Sequence, residues 1–206
     1  MTIFVKVKIL KLISLIVIVF VVTGCPATNY ESDSKKIQNN NMNFPNLEKQ
    51  YYNGIKYKLS DMFENDYDDD YVLTDNASTK IVYGLDVNFS IEAFNQEEAE
   101  VIQYAFDDEI DLFNAVHDNY VLKRKASLYE PSISIKKPTP KNVGYPGYIQ
   151  VINGSPYSYD EDEGSSYFTA TLNIDGIYYV FQLIGKKSNM GYLYDDFIDI
   201  LSSVEK

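Results

Sequence analysis

Residues 167–184 read YFTATLNIDGIYYVFQLI, and their pattern decides the fold. Asp175-Gly176 is a strong signal for a two-residue type I′ turn, whose twist matches that of two antiparallel strands. Closing the hairpin there sets Ile174 opposite Ile177, Leu172 opposite Tyr179, Ala170 opposite Phe181 and Phe168 opposite Leu183. All eight side chains fall on one face. A slip of one residue would turn that whole set to the other side, so turn chemistry and hydrophobic pattern independently select one register.

Strand patterns continue upstream. GYIQVI at 147–152 begins the same sheet-forming block, and an acidic loop separates it from the hairpin. IVYGLDVNFSIEAF at 81–94 alternates over its whole length. Ile81, Tyr83, Leu85, Val87, Phe89 and Ile91 lie on one side, with Val82, Gly84, Asp86, Asn88, Ser90 and Glu92 on the other. That is the pattern of one long strand with a buried face and a wet face, as in antiparallel sheets. A shorter alternation, Ile55, Tyr57 and Leu59 against Lys56 and Lys58, opens the domain within YYNGIKYKLSDMF at 51–63.

Between these blocks the period changes. Asn95 followed by Glu98 is a capping-box signal. Ile102, Phe106, Ile110, Phe113 and Tyr120 then form an apolar stripe, with Glu100, Asp107, Asp111 and Asp118 opposite. The pattern predicts one helix of about 22 to 25 residues. Pro131, Pro138, Pro140 and Pro146 punctuate a long connection with a short strand near Ser132–Ile135. Leu193, Phe197, Ile200, Leu201 and Val204 predict a C-terminal helix.

The order of strands, long helix, strands and terminal helix implies an α+β domain at 51–206: an antiparallel sheet of about five to six strands packed with one long helix and a C-terminal helix. This order over 51–205, with the closing hairpin followed by YLYDDFIDILSSV at 192–204, resembles the PsbP-like fold of the extrinsic photosystem II subunit and its bacterial relatives. The resemblance implies an accessory or assembly protein rather than an enzyme.

The N-terminus carries the address. In LISLIVIVFVVTGCPATNY, residues 12–30, the apolar run Leu12–Val22 is shorter than the roughly 20 residues a spanning helix needs. Lys6, Lys8 and Lys11 precede it, and no acid occurs before Cys25. These are the n-region and h-region of a signal peptide. Val22-Thr23-Gly24-Cys25 then resembles the lipobox of bacterial lipoproteins, with valine where leucine is commoner. The resemblance implies cleavage between Gly24 and Cys25, removal of residues 1–24, and a diacylglyceryl group on the thiol of Cys25, the only cysteine. It places the protein outside the cytoplasm, anchored in the membrane at the outer membrane, the periplasmic face or the cell surface. Residues 25–50, sparse in apolar side chains, read as the lipidated cysteine and a flexible tether, with a reach of about 25–30 Å.

Composition narrows the partners. The chain has 206 residues, 30 acids, 18 basic residues and a net charge of −12. Loss of Lys6, Lys8 and Lys11 with the signal peptide leaves a charge near −15. That argues against nucleic acid, whose phosphates demand basic surfaces, and against lying flat on anionic lipid.

The remaining candidates are sparse. Asp66, Asp68 and Asp70 have the 1, 3, 5 spacing of a calcium loop. Tyr71 stands where glycine is needed and Ala77 where a bidentate glutamate is needed, which excludes an EF-hand. The three aspartates remain candidates for a looser calcium site, and a solvated acidic loop is the expectation, as it is for Asp160, Glu161, Asp162 and Glu163. His117, the only histidine, has no G-x-S-x-G elbow or free cysteine to serve; it is expected to pack at the edge of the apolar stripe. GKKS at 185–188 lacks the upstream glycine of a phosphate loop. Glu97–Glu98 and Asp195–Asp196 are helix neighbours that point apart. The basic stretch Lys123, Arg124, Lys125, Lys136, Lys137 and Lys141 is expected at a helix C-terminus, where cations are favoured, and along a solvated connection. No catalytic constellation, resident metal or cofactor is expected. The leading expectation is a non-catalytic binding or assembly module with an envelope-protein partner. An acidic inhibitor or immunity-type lipoprotein facing a basic enzyme or toxin is the alternative, followed by an envelope-polymer hydrolase.

Overall fold

A computed structural model of the chain describes residues 46–65, 77–82, 87–106, 110–155, 164–187 and 190–206. The expected α+β architecture is present. Among the described residues ten strands run in chain order with three helices: β1 Leu47–Tyr52, β2 Ile55–Ser60, β3 Glu64–Asn65, β4 Ala77–Val82, β5 Val87–Phe94, α1 Gln96–Tyr104, α2 Leu112–Ala126, β6 Tyr129–Ile133, β7 Lys137–Pro138, β8 Gly147–Ser155, β9 Ser165–Ile174, β10 Ile177–Lys186 and α3 Met190–Ser202. The main sheet is antiparallel in the order β3-β4-β5-β10-β9-β8-β6, with β7 also on β8. β1 and β2 form a separate two-stranded sheet.

The β9–β10 hairpin has the register read from its turn: Ile174 faces Ile177, Leu172 faces Tyr179, Ala170 faces Phe181 and Phe168 faces Leu183. Asp175 and Gly176 both take positive φ, 52° and 84°, as a type I′ turn requires. Asn173 Oδ1 adds an acceptor for the Gly176 N–H at 3.1 Å. With Val87, Phe89 and Ile91 of β5 and Ile149 of β8, these side chains make one face of the sheet. β2 and α3 cover it with Ile55, Tyr57, Leu59, Leu193, Phe197, Ile200 and Leu201. Tyr57 packs edge-on to Phe181 at 6.3 Å, and Phe168 stacks on Phe197 at 5.9 Å.

Three sequence expectations are corrected. Residues 81–94 are not one strand. β4 ends at Val82 and pairs antiparallel with β5, Val82 facing Val87. The side-chain alternation restarts at that reversal, so Val82, expected on the wet face, is in the core. The single long helix is two. α1 ends at Tyr104 with Ala105 as its C-cap, and α2 starts afresh at Leu112 behind the N-cap Asp111, whose side chain accepts from the Asn114 N–H. Finally, β1 begins at Leu47, within the stretch assigned to the tether. Its partner signal was Asn53-Gly54, which takes φ of 43° and 83° and closes the β1–β2 hairpin.

The second face of the sheet is also covered. Tyr178, Val180 and Phe94 meet Ala99, Val116 and Tyr120 of α1 and α2. Ile152 and Tyr167 meet Val121 and Leu128. The sheet therefore lies between a helical layer and a layer made of β1, β2 and α3.

Candidate functional site

The helix-covered face holds the chemistry. On β8, β9 and β10 every second side chain points away from the main core, and there the sequence supplies Gln150, Thr169, Thr171 and Gln182. α2 answers with His117, Tyr120, Val121 and Arg124, the i, i+3, i+4, i+7 stripe of one helix face. His117, Thr169, Thr171 and Gln182 are all fully buried or within 1% of it. A buried polar group without a partner is costly, and here the partners are supplied in order.

Gln150 Nε2 donates to the Ser134 carbonyl oxygen at 2.8 Å. That contact orients the amide, because a carbonyl can only accept. Gln150 Oε1 is therefore turned to His117 Nε2, 3.1 Å away, and must accept its proton. His117 Nδ1 is left as an acceptor for the Thr171 hydroxyl at 2.9 Å. Every proton in the row has one place. Burial pushes the imidazole pKa down to about 4, opposed by the Gln150 hydrogen bond and the Asp118 charge. The ring is neutral at neutral pH.

A second row lies two turns further along α2, at Arg124. Arg124 Nη2 and Nε donate to Gln182 Oε1 at 2.8 and 3.2 Å, and Gln182 Nε2 donates to Thr169 Oγ1 at 3.1 Å. The guanidinium also lies over the Tyr167 ring, 5.6 Å from its centroid. At the rim, Lys136 Nζ bonds Asn114 Oδ1 at 2.7 Å and Asp118 Oδ1 at 2.8 Å and sits over Tyr148.

Thr171, His117 and Gln150 have the order of a hydroxyl, an imidazole and an orienting group. In a working hydrolase the hydroxyl must reach a substrate carbonyl. Here both Thr171 and His117 have 0% exposure, so no substrate atom can approach either. The row can hold α2 on the sheet. It cannot attack anything.

His117 is thus not at the boundary of the apolar stripe but sealed beneath it, because the sheet presents polar partners where the stripe was expected to meet water. Glu92, assigned to a wet face, is buried too. The basic stretch divides. Arg124 and Lys136 are tied to internal partners, while Lys123, Lys125, Lys137 and Lys141 are exposed. Glu98 completes the capping box, its Oε2 accepting from the Asn95 N–H at 2.8 Å. Gly24, Cys25, Asp66, Asp68, Asp70 and Asp160–Glu163 lie outside the described residues. Among the described residues no group of three or more His, Cys, Asp or Glu is placed to hold a metal ion.

No family model and no curated protein matches the chain. Among solved structures, the Ran-binding protein Mog1p of Saccharomyces cerevisiae is similar with a TM-score of 0.53 at 10% identity, over 78% of this chain and 95% of that one. The solution structure of cyanobacterial PsbP (CyanoP) from Synechocystis is similar with a TM-score of 0.50 at 11% identity, over 80% of this chain and 94% of that one. At such identities the likeness is one of fold, in keeping with the resemblance drawn from element order.

Proposed function

We propose that the protein is a bacterial lipoprotein, held outside the cytoplasm by lipid on Cys25, whose α+β domain binds another envelope protein and catalyses no reaction. The observation that carries the anchor is the order of Lys6, Lys8 and Lys11, the apolar run Leu12–Val22 and the Val22-Thr23-Gly24-Cys25 box. The sealed Thr171–His117–Gln150 row supports the non-catalytic part, since the only imidazole is spent on packing. Mog1p, which shares the fold, is a Ran-binding protein; that supports reading this fold as a frame for a binding surface. The net charge near −15 after processing favours, as a second reading, an inhibitor of a basic secreted enzyme.

The test is metabolic labelling with a fatty acid, then crosslinking in cells, comparing the native chain with Cys25→Ala. The native chain should take up label, lose residues 1–24 and fractionate with membranes. The variant should do none of these. A variant that is still labelled and cleaved refutes the anchor. Recovery of a basic secreted enzyme, released by salt, would select the inhibitor reading.

A further inference from the structure

Among the described residues, β1 presents a sheet edge with no strand neighbour, beside a cluster of lysines that form no ion pair. In the β1–β2 hairpin Tyr51 faces Lys56, Lys49 faces Lys58 and Leu47 faces Ser60. On β2, the backbone groups of Lys56 and Lys58 point away from β1. Lys56 exchanges both backbone hydrogen bonds with Glu205, at 2.7 and 2.8 Å, and the Lys58 N–H donates to Ser203 Oγ at 2.8 Å. In an antiparallel pair, residues opposite one another share the same sense. The N–H and C=O groups of Leu47, Lys49 and Tyr51 therefore point away from β2, where β1 has no strand neighbour among the described residues. The same three residues carry their side chains on the outer face, with Leu47 47% and Tyr51 70% exposed.

That face is cationic in an acidic protein. Lys49, Lys56 and Lys58 share it, all exposed, and Lys49 lies directly across from Lys58, a like-charge pairing that costs stability. Glu205 shares the face beside Lys56, yet among the described residues none of the three lysines forms an ion pair.

We propose that the free edge of β1 takes up an extended acidic peptide as an added strand, its alternate residues running apolar, carboxylate, apolar. Strand addition uses backbone hydrogen bonds for affinity and alternate side chains for specificity. A strand added roughly 4.8 Å from β1 would bond Leu47, Lys49 and Tyr51 and lay its facing side chains on the outer face. An apolar group then meets Leu47, a carboxylate meets Lys49 with Lys58 behind it, and a second apolar group meets Tyr51. A second copy of β1 centred on this edge would instead set Lys49 against Lys49. A lipid surface would answer the charge but leave the backbone row unused. The assignment gives the binding module proposed above a partner chemistry, and it rests on that reading.

The probe is an acetylated, amidated peptide of sequence Thr-Val-Thr-Glu-Thr-Val-Thr, titrated into the full chain in detergent micelles with amide hydrogen exchange read per residue. The amides of Leu47, Lys49 and Tyr51 should slow at least ten-fold at saturation, while those of Glu48 and Gln50, already bonded to β2, should not change. Replacing the central Glu of the peptide by Lys should weaken binding about ten-fold or more. Lys49→Glu with Lys58→Glu should reverse that preference. If the double variant fails to fold, the exchange pattern of the native chain decides alone. Unchanged exchange at saturating peptide overturns the proposal. So does protection that arises with phosphatidylglycerol vesicles or with protein concentration and not with peptide. A chain that captures an envelope partner in cells while these three amides stay unprotected overturns the edge assignment and leaves the binding module standing.

Discussion

Acidification should destabilise the domain through His117, by an amount that the burial of the ring sets. The imidazole is folded away with a pKa of about 4, against an ordinary value of 6.5, first because burial disfavours its charged form. The unfolded chain therefore binds a proton between pH 6.5 and 4 that the folded chain refuses. Stability is complete above pH 6.5 and falls as pH drops through that window. At about 1.4 kcal/mol per pH unit, the loss approaches about 2 kcal/mol at pH 5 and about 3 kcal/mol at pH 4. Protonation would also need the Thr171 hydroxyl to turn from donor to acceptor, while Gln150 Oε1, its amide held by the Ser134 carbonyl, accepts from Nε2 in either state.

Carboxylates titrate in the same range, so the measurement must subtract them. His117→Gln keeps a polar side chain at the position and removes the titration. At pH 7 the variant should be less stable by about 1–3 kcal/mol, the cost of leaving one buried partner unsatisfied. As pH falls the two proteins should converge, the gap closing by about 2 kcal/mol at pH 5. Urea unfolding followed by tyrosine fluorescence suits a chain with 19 tyrosines and no tryptophan. Stability curves for native and variant that stay parallel from pH 7 to pH 5, with equal m-values, would refute the reasoning.

Gly147 has no room for a side chain: an added Cβ would lie 2.6 Å from both Leu172 Cδ2 and the Thr171 carbonyl oxygen. Gly147→Ala should cost about 1–3 kcal/mol, seen as a fall in urea midpoint; an unchanged midpoint contradicts the close approach of β8 to β9. Phe181→Ala removes a fully buried ring packed between Tyr57 and Phe89 and should cost about 3–5 kcal/mol, enough to unfold a marginal domain at 37 °C. Asn95→Ala removes the acceptor for the Glu98 N–H and should cost about 1 kcal/mol. Rescue by Asn95→Ser or Asn95→Asp would show that the cap, and not the side-chain volume, is responsible.

The parts of the fold legible in the sequence are those where two signals agree. At Asp175-Gly176 turn chemistry and pattern fix one register, and the structure has it. α3 is legible because Leu193, Phe197, Ile200 and Leu201 keep helical spacing without a break. Where one signal stood alone it misled. The alternation from Ile81 to Glu92 is consistent with one strand or with two joined by a short reversal, since period 2 carries no information about direction. The stripe from Ile102 to Tyr120 spans two helices whose separate starts, Asn95 and Asp111, are both good N-caps. Asn53-Gly54 is the sequence signal for β1: a hairpin dipeptide flanked by Tyr51-Tyr52 and Ile55.

The buried polar rows were illegible for a different reason. Thr169, Thr171 and Gln182 alternate with core residues as a solvated sheet face would, and alternation cannot distinguish polar groups that meet water from polar groups that meet a helix. The distinguishing fact is three-dimensional: His117 and Arg124, seven residues apart on α2 and about 10 Å along its axis, each reach a glutamine of the sheet. Apolar packing of Val116, Tyr120 and Val121 supplies attraction but tolerates sliding and rotation of a helix over a sheet. Two hydrogen-bonded rows that far apart fix both, because a shift of one residue would strand His117 Nε2 and the Arg124 guanidinium together. The only histidine and the only arginine of the chain are thus both spent on registering one helix.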